Sequence, residues 1–162
     1  MVGSVLRFVR LPLLLLVVWV IARFSLGLAG VPYAPRGNAV FSVLGLTVIS
    51  CLYYGALSKR IGGFNWKGTL LVGITIGLVG QILIFLATLF SYLGGLSTYF
   101  VHWDALNVPE GTVVPMGQAM LKRLQGIVVG TITLPVIGAF VGRAFAGLAP
   151  ASEGKASQEA SR

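Results

Sequence analysis

Charged side chains along this chain leave long uncharged intervals between them. No Asp, Glu, Lys or Arg occurs over 68–103, and two further charge-free runs cover 37–58 and 124–142. A helix of about 20 apolar residues crosses the hydrocarbon layer of a bilayer, so each interval predicts a membrane-spanning helix. A further apolar segment covers about 5–30. It is densest over 13–18, has Arg7 and Arg10 near its start, and is interrupted by Arg23. That layout fits a cleaved signal peptide with Gly27 and Ala29 at its processing site. It also fits a retained helix whose Arg23 extends a long stem to the headgroups. Because the segment stays apolar past Arg23, the retained helix is the expected form.

Turn residues set the boundaries. Pro32, Pro35 and Arg36-Gly37-Asn38 separate the first helix from the second, expected at 39–57 and followed by Ser58-Lys59-Arg60. Gly62-Gly63 opens the way to the third, at 68–93, and Gly94-Gly95 stops it. That third helix would be about 39 Å long, so it should tilt or project beyond a bilayer. The stretch 94–123 reads as one longer outer loop, with an aromatic run at 96–103 and a turn at Asn107-Val108-Pro109-Glu110-Gly111. Within it, Pro115 would open a short amphipathic helix with Met116, Met120 and Leu124 on one face. The fourth helix is expected at 124–148, and the tail 149–162 has no apolar period and reads as disordered. The fold class predicted is an all-α membrane protein. Its transmembrane domain, 1–148, would be an antiparallel bundle of four helices, or three if the first is a cleaved signal peptide.

Composition agrees. The chain is 56% hydrophobic and 10% charged, whereas a soluble domain carries roughly 25% charged residues. Twelve Lys and Arg against four Asp and Glu give a net charge of +8. These cations cluster at segment ends, where topology and headgroups select them, so nucleic acid is not an expected partner. The expected surroundings are a lipid bilayer, with a homo-oligomer or other membrane subunits as partners. Arg7, Arg10, Lys59, Arg60, Lys67, Lys155 and Arg162 fall on one side of the predicted topology, and Arg23, Arg36, Lys122 and Arg123 on the other. The positive-inside rule then predicts a multi-pass cell-membrane protein with both termini in the cytoplasm. Lys122-Arg123 beside the fourth helix runs against that arrangement.

Glycines four apart recur: Gly73 and Gly77 in the third helix, Gly126 and Gly130, then Gly138 and Gly142, in the fourth. Such pairs lie on one helix face and let two backbones approach closely. The third and fourth helices are expected to pack along them. Gln81 is the most polar side chain near mid-segment, and its amide predicts a cross-helix hydrogen bond. Pro135 removes a backbone donor, and Thr131 and Thr133 are candidates to satisfy the freed carbonyl. Arg143 is expected to extend to the headgroups.

Reactive groups are few. His102 and Asp104, the only His and the only Asp, flank Trp103 and could begin an acid–base pair, with Asn107 close by in sequence. With one His, one Cys and four acidic residues, no metal-ligand set is legible, and no catalytic or cofactor site is expected. Cys51 allows no internal disulfide and reads as a small buried hydrophobe. The leading expectation is a non-enzymatic accessory, assembly or scaffold subunit packed through its glycine faces. The alternatives are an oligomeric transport component lined by Gln81, Ser42, Thr47, Ser50 and Thr88, or a surface enzyme using His102, Asp104 and Asn107.

Overall fold

A computed structural model of the chain describes residues 2–31 and 42–146, which lie in helices and short connections with no strand among them. The helices are α1 (Val2–Phe8), α2 (Arg10–Leu28), α3 (Val43–Arg60), α4 (Trp66–Leu93) and α5 (Met116–Phe145), with two 3₁₀ turns at Tyr99–Val101 and Asp104–Leu106. Three of them, α2, α4 and α5, are long and apolar enough to cross a membrane. The fourth long helix, α3, is not among these three. Its 18 residues include Thr47, Ser50, Tyr53, Tyr54, Ser58, Lys59 and Arg60.

Local chemistry explains the element ends. Ser42 and Asn65 cap α3 and α4 by accepting from the amides of Gly45 and Gly68 at 3.1 and 2.9 Å. At the other end of α4, Gly95 adopts φ +60° and the amides of Gly95 and Leu96 return to the carbonyls of Tyr92 and Ser91. This is a Schellman closure, and its left-handed position is one that glycine fills without a Cβ penalty. The apolar segment expected at 5–30 is divided at Val9. A proline ring clashes with the carbonyl four residues earlier in a continuous helix. For Pro12 that residue is Phe8, where α1 ends.

Two expected boundaries are corrected. The loop does not extend to 123 and the helix does not begin at 124, because α5 starts at Met116 and runs through Leu124 without a break. Nothing between 117 and 124 stops a helix once Pro115 has started it, so the short amphipathic piece and the apolar piece are one element. The loop is 94–115. The tail 149–162, the loop prolines Pro32 and Pro35, and Lys155 and Arg162 fall outside the described residues.

Cross-helix contacts fix the directions of the bundle. Arg143 near the end of α5 bonds Thr69 near the start of α4, and Arg123 near the start of α5 bonds Thr88 near the end of α4, so α4 and α5 run antiparallel. Ser58 at the end of α3 meets Thr69, while Thr47 at its start lies against Gly80, so α3 also opposes α4. Phe8 packs on Phe64 and Phe24 on Phe100, which aligns the α1–α2 arm with α4. The core between these helices contains Leu16, Val20, Cys51, Val72 and Ile76. Outward, the bundle is just as apolar. Leu14, Ile21, Ile49, Phe90, Val128 and Ile132 are each 59–64% exposed. So many large apolar side chains exposed together are unusual on a water-soluble monomer.

Candidate functional site

Where the loop 94–115 folds over the ends of α2 and α4 and the starts of α3 and α5, a cavity of about 610 Å³ opens among polar side chains. Arg23, Gln81, Tyr99, Asp104, Asn107 and Arg123 all line it, and Ser42 and Val43 contribute the amino end of α3. The two arginines arrive differently. Arg23 projects from α2, whose other charge, Arg10, stands at its first residue; it is only 5% exposed and lies with its guanidinium carbon 3.7 Å from the centre of the Tyr99 ring. That stacking uses the negative face of the ring. Arg123 is held by two neutral acceptors: its Nε donates to Thr88 Oγ1 at 3.0 Å and its Nη2 to the Phe100 carbonyl at 2.9 Å. The Thr88 hydroxyl is itself committed to the Ile84 carbonyl at 2.8 Å, so its lone pairs remain for Arg123.

Gln81 reaches the same cavity from mid-α4, across a flat patch of α5. A Cβ on Gly126 would lie 3.6 Å from its Oε1, and one on Gly130 2.6 Å from its Nε2. The two glycines therefore make the room in which this amide sits. Gly73 and Gly77 lie lower on α4, against Pro135 and Ala139 of α5. Gly138 and Gly142 turn elsewhere, toward α3: Gly138 lies beside Cys51 and Gly142 against the backbone of Leu52, while Gly55 of α3 abuts Ala139. The Thr131 hydroxyl is buried without a hydrogen-bond partner, so it does not serve the carbonyl freed by Pro135.

His102 and Asp104 are separated by the cavities they line. Asp104 faces the large one, whereas His102 lines a shallower one of about 320 Å³ with Tyr92, Thr98 and Trp103. The Asp104 amide donates to His102 Nδ1 over a long 3.4 Å. No group of three or more His, Cys, Asp or Glu able to hold a metal occurs among the described residues. Asn107 also lines the large cavity and takes a left-handed φ of 52°, a conformation its side chain tolerates.

The opposite end carries the other arginine of α5. Arg143 does not extend away from the protein as expected. It donates to the Phe64 carbonyl at 2.8 Å and to Thr69 Oγ1, and lies 4.5 Å from the centre of the Trp66 ring. Of the polar residues proposed to line a path, Gln81 and Ser42 reach the cavity. Thr47 instead donates to the Val43 carbonyl at 2.7 Å, and Thr88 holds Arg123. Sequence reasoning missed Arg23 and Arg123 as partners in one site. A cation placed inside an apolar helix was the available signal, because its burial requires a polar counterpart. Comparison with known proteins gives no match: no family model, no curated protein and no solved structure is similar to this chain.

Proposed function

We propose that this chain is a multi-pass integral membrane protein whose bundle holds a polar ligand in the cavity at its loop end. It acts as a non-enzymatic binding component of a membrane assembly or transport system. The observation that carries this reading is the convergence of Gln81, Arg23 and Arg123, from three different helices, on one cavity of about 610 Å³. A helix bundle needs no such group for packing. Buried polar side chains at membrane depth are expensive and collect where something polar is bound or passed.

In this reading lipid covers the apolar exterior, and α2, α3, α4 and α5 all cross the bilayer. The polar residues of α3 are satisfied inside the bundle, as with Thr47 and Ser58. Arg7, Arg10, Lys59, Arg60 and Lys67 mark the end of the bundle that faces the cytoplasm. Arg123, which stood against that sidedness in the sequence, belongs to the cavity rather than to the topology signal. The cavity then opens away from the cytoplasm.

Native mass spectrometry of the full chain in mild detergent tests the binding reading. The wild-type protein should carry a noncovalent adduct, and Ala105→Trp, which sets an indole at a residue of the cavity wall, should remove it without lowering the melting temperature. An adduct-free wild type, or an adduct indifferent to Ala105→Trp, would overturn it.

A further inference from the structure

The charges around the cavity do not balance. Among the described residues that line it, two guanidiniums, those of Arg23 and Arg123, stand against one carboxylate, that of Asp104. Arg23 is 5% exposed and rests on an aromatic face, and Arg123 is anchored by a hydroxyl and a backbone carbonyl. The neutral acceptors of Arg123 fix its guanidinium in place without neutralising its charge, so the lining keeps a net positive charge. These two bonds of Arg123 use two of its five donors.

A third positive element points the same way. The cavity wall includes Ser42, Val43 and Leu44, which are the N-cap and first residues of α3, a helix of 18 residues. The first amides of a helix have no partner within it, and its dipole places partial positive charge at that end. The Ser42 hydroxyl takes up only the amide of Gly45. Two guanidiniums together with a helix amino end form a receptor for an oxyanion, since planar donor forks match phosphate or carboxylate oxygens. Gln81 and Asn107 add neutral donors at the margin, and Ile84 and Phe100 provide an apolar wall.

We propose that the cavity is an oxyanion site that holds a phosphate or carboxylate group between Arg23, Arg123 and the amino end of α3. This rests on the reading of the cavity as a binding site and specifies its ligand class. The group has two sources, the headgroup of an anionic lipid entering from the bilayer or a free anion entering from the aqueous side.

The test uses the full-length protein in detergent, with phosphatidylglycerol, phosphatidylcholine and inorganic phosphate as probes. Binding is read by native mass spectrometry for the lipids and by thermal shift for phosphate. Phosphatidylglycerol or phosphate should bind the wild type, and Arg123→Gln should weaken that binding at least about tenfold. Because Arg123 also ties the loop to α4, Asn107→Asp is the decisive second variant. Aspartate tolerates the same left-handed backbone, so the fold should keep its melting temperature while the added charge weakens anion binding by about fivefold or more. Retention of phosphatidylglycerol alone identifies a lipid source, and a response to inorganic phosphate identifies a free anion. Equal binding of phosphatidylcholine, or anion binding unchanged by Asn107→Asp, would overturn the oxyanion site. If Ala105→Trp still displaces the phosphatidylcholine, the cavity stands as a binding site for another ligand. If Ala105→Trp displaces nothing, both readings fall.

Discussion

Replacing Gly142 by alanine is expected to destabilise the bundle by about 2–3 kcal/mol, and replacing it by leucine to prevent folding. Overpacking an interior typically costs about 1–3 kcal/mol, and the upper end applies when the obstacle cannot move. At Gly142 the added methyl would collide with the Leu52 carbonyl group, which is backbone of the neighbouring helix. Relief would require α3 and α5 to separate along the face that also brings Gly55 onto Ala139 and Gly138 onto Cys51. The contrast at Gly130 makes the expectation specific. There the added methyl meets only the end of the Gln81 side chain, which can swing away, so Gly130→Ala should cost less than about 1 kcal/mol. At Gly117 of α5 nothing lies within 4 Å, and alanine should stabilise the helix by about 0.8–1 kcal/mol. Unfolding of the three variants in mixed detergent micelles, followed by circular dichroism, gives the ranking. A Gly142→Ala protein as stable as Gly117→Ala would refute the close α3–α5 contact.

The second large effect is expected at the other end of α5. Arg143→Met should destabilise the protein by about 2 kcal/mol, because hydrogen bonds from a charged donor contribute about 1.5–3 kcal/mol and an aromatic stack adds to them. The loss spreads through a relay. Arg143 donates to Thr69, Thr69 lies 2.7 Å from Ser58, and Ser58 lies 2.7 Å from the Gly55 carbonyl. With one proton per hydroxyl, the direction that satisfies every partner runs from Arg143 through Thr69 and Ser58 to Gly55. The arginine therefore ties α5 to the junction of α3 and α4. Arg143→Lys should recover only part of the loss, since a point charge cannot bond two acceptors and stack on Trp66 together. A change below about 0.5 kcal/mol for Arg143→Met, measured by the same unfolding, would mean that the side chain acts only as a charge at the surface.

The long helices and the stop after α4 were legible in the residues because their signals are local, whereas the start of α5 at Met116 and the division at Val9 were not. Gly94-Gly95 ends α4 through a left-handed residue that the dipeptide makes cheap, and Asn65 and Ser42 are ordinary caps. Glycine spacing told which positions share a face but not which neighbour that face meets. Each step of four residues advances about 40° beyond a full turn, so the line from Gly126 to Gly142 winds about 160° around α5. It begins under Gln81 of α4 and finishes against Leu52 of α3. The site was hidden for a related reason. Arg123 finds Thr88 35 positions away and Arg23 finds Tyr99, and no periodicity in one segment encodes a meeting between segments. Read singly, each arginine resembled a helix-end charge, while His102 and Asp104, on either side of Trp103, line different cavities.

In the function proposed above, the bundle crosses a bilayer with its basic end inside and its cavity outside. Single cysteines introduced at Lys59 and at Glu110, in a Cys51→Ala background, test it directly with a membrane-impermeant thiol reagent on intact cells and on inverted vesicles. Glu110→Cys should be labelled in intact cells and Lys59→Cys only in inverted vesicles. Labelling of both positions from the same side would contradict it.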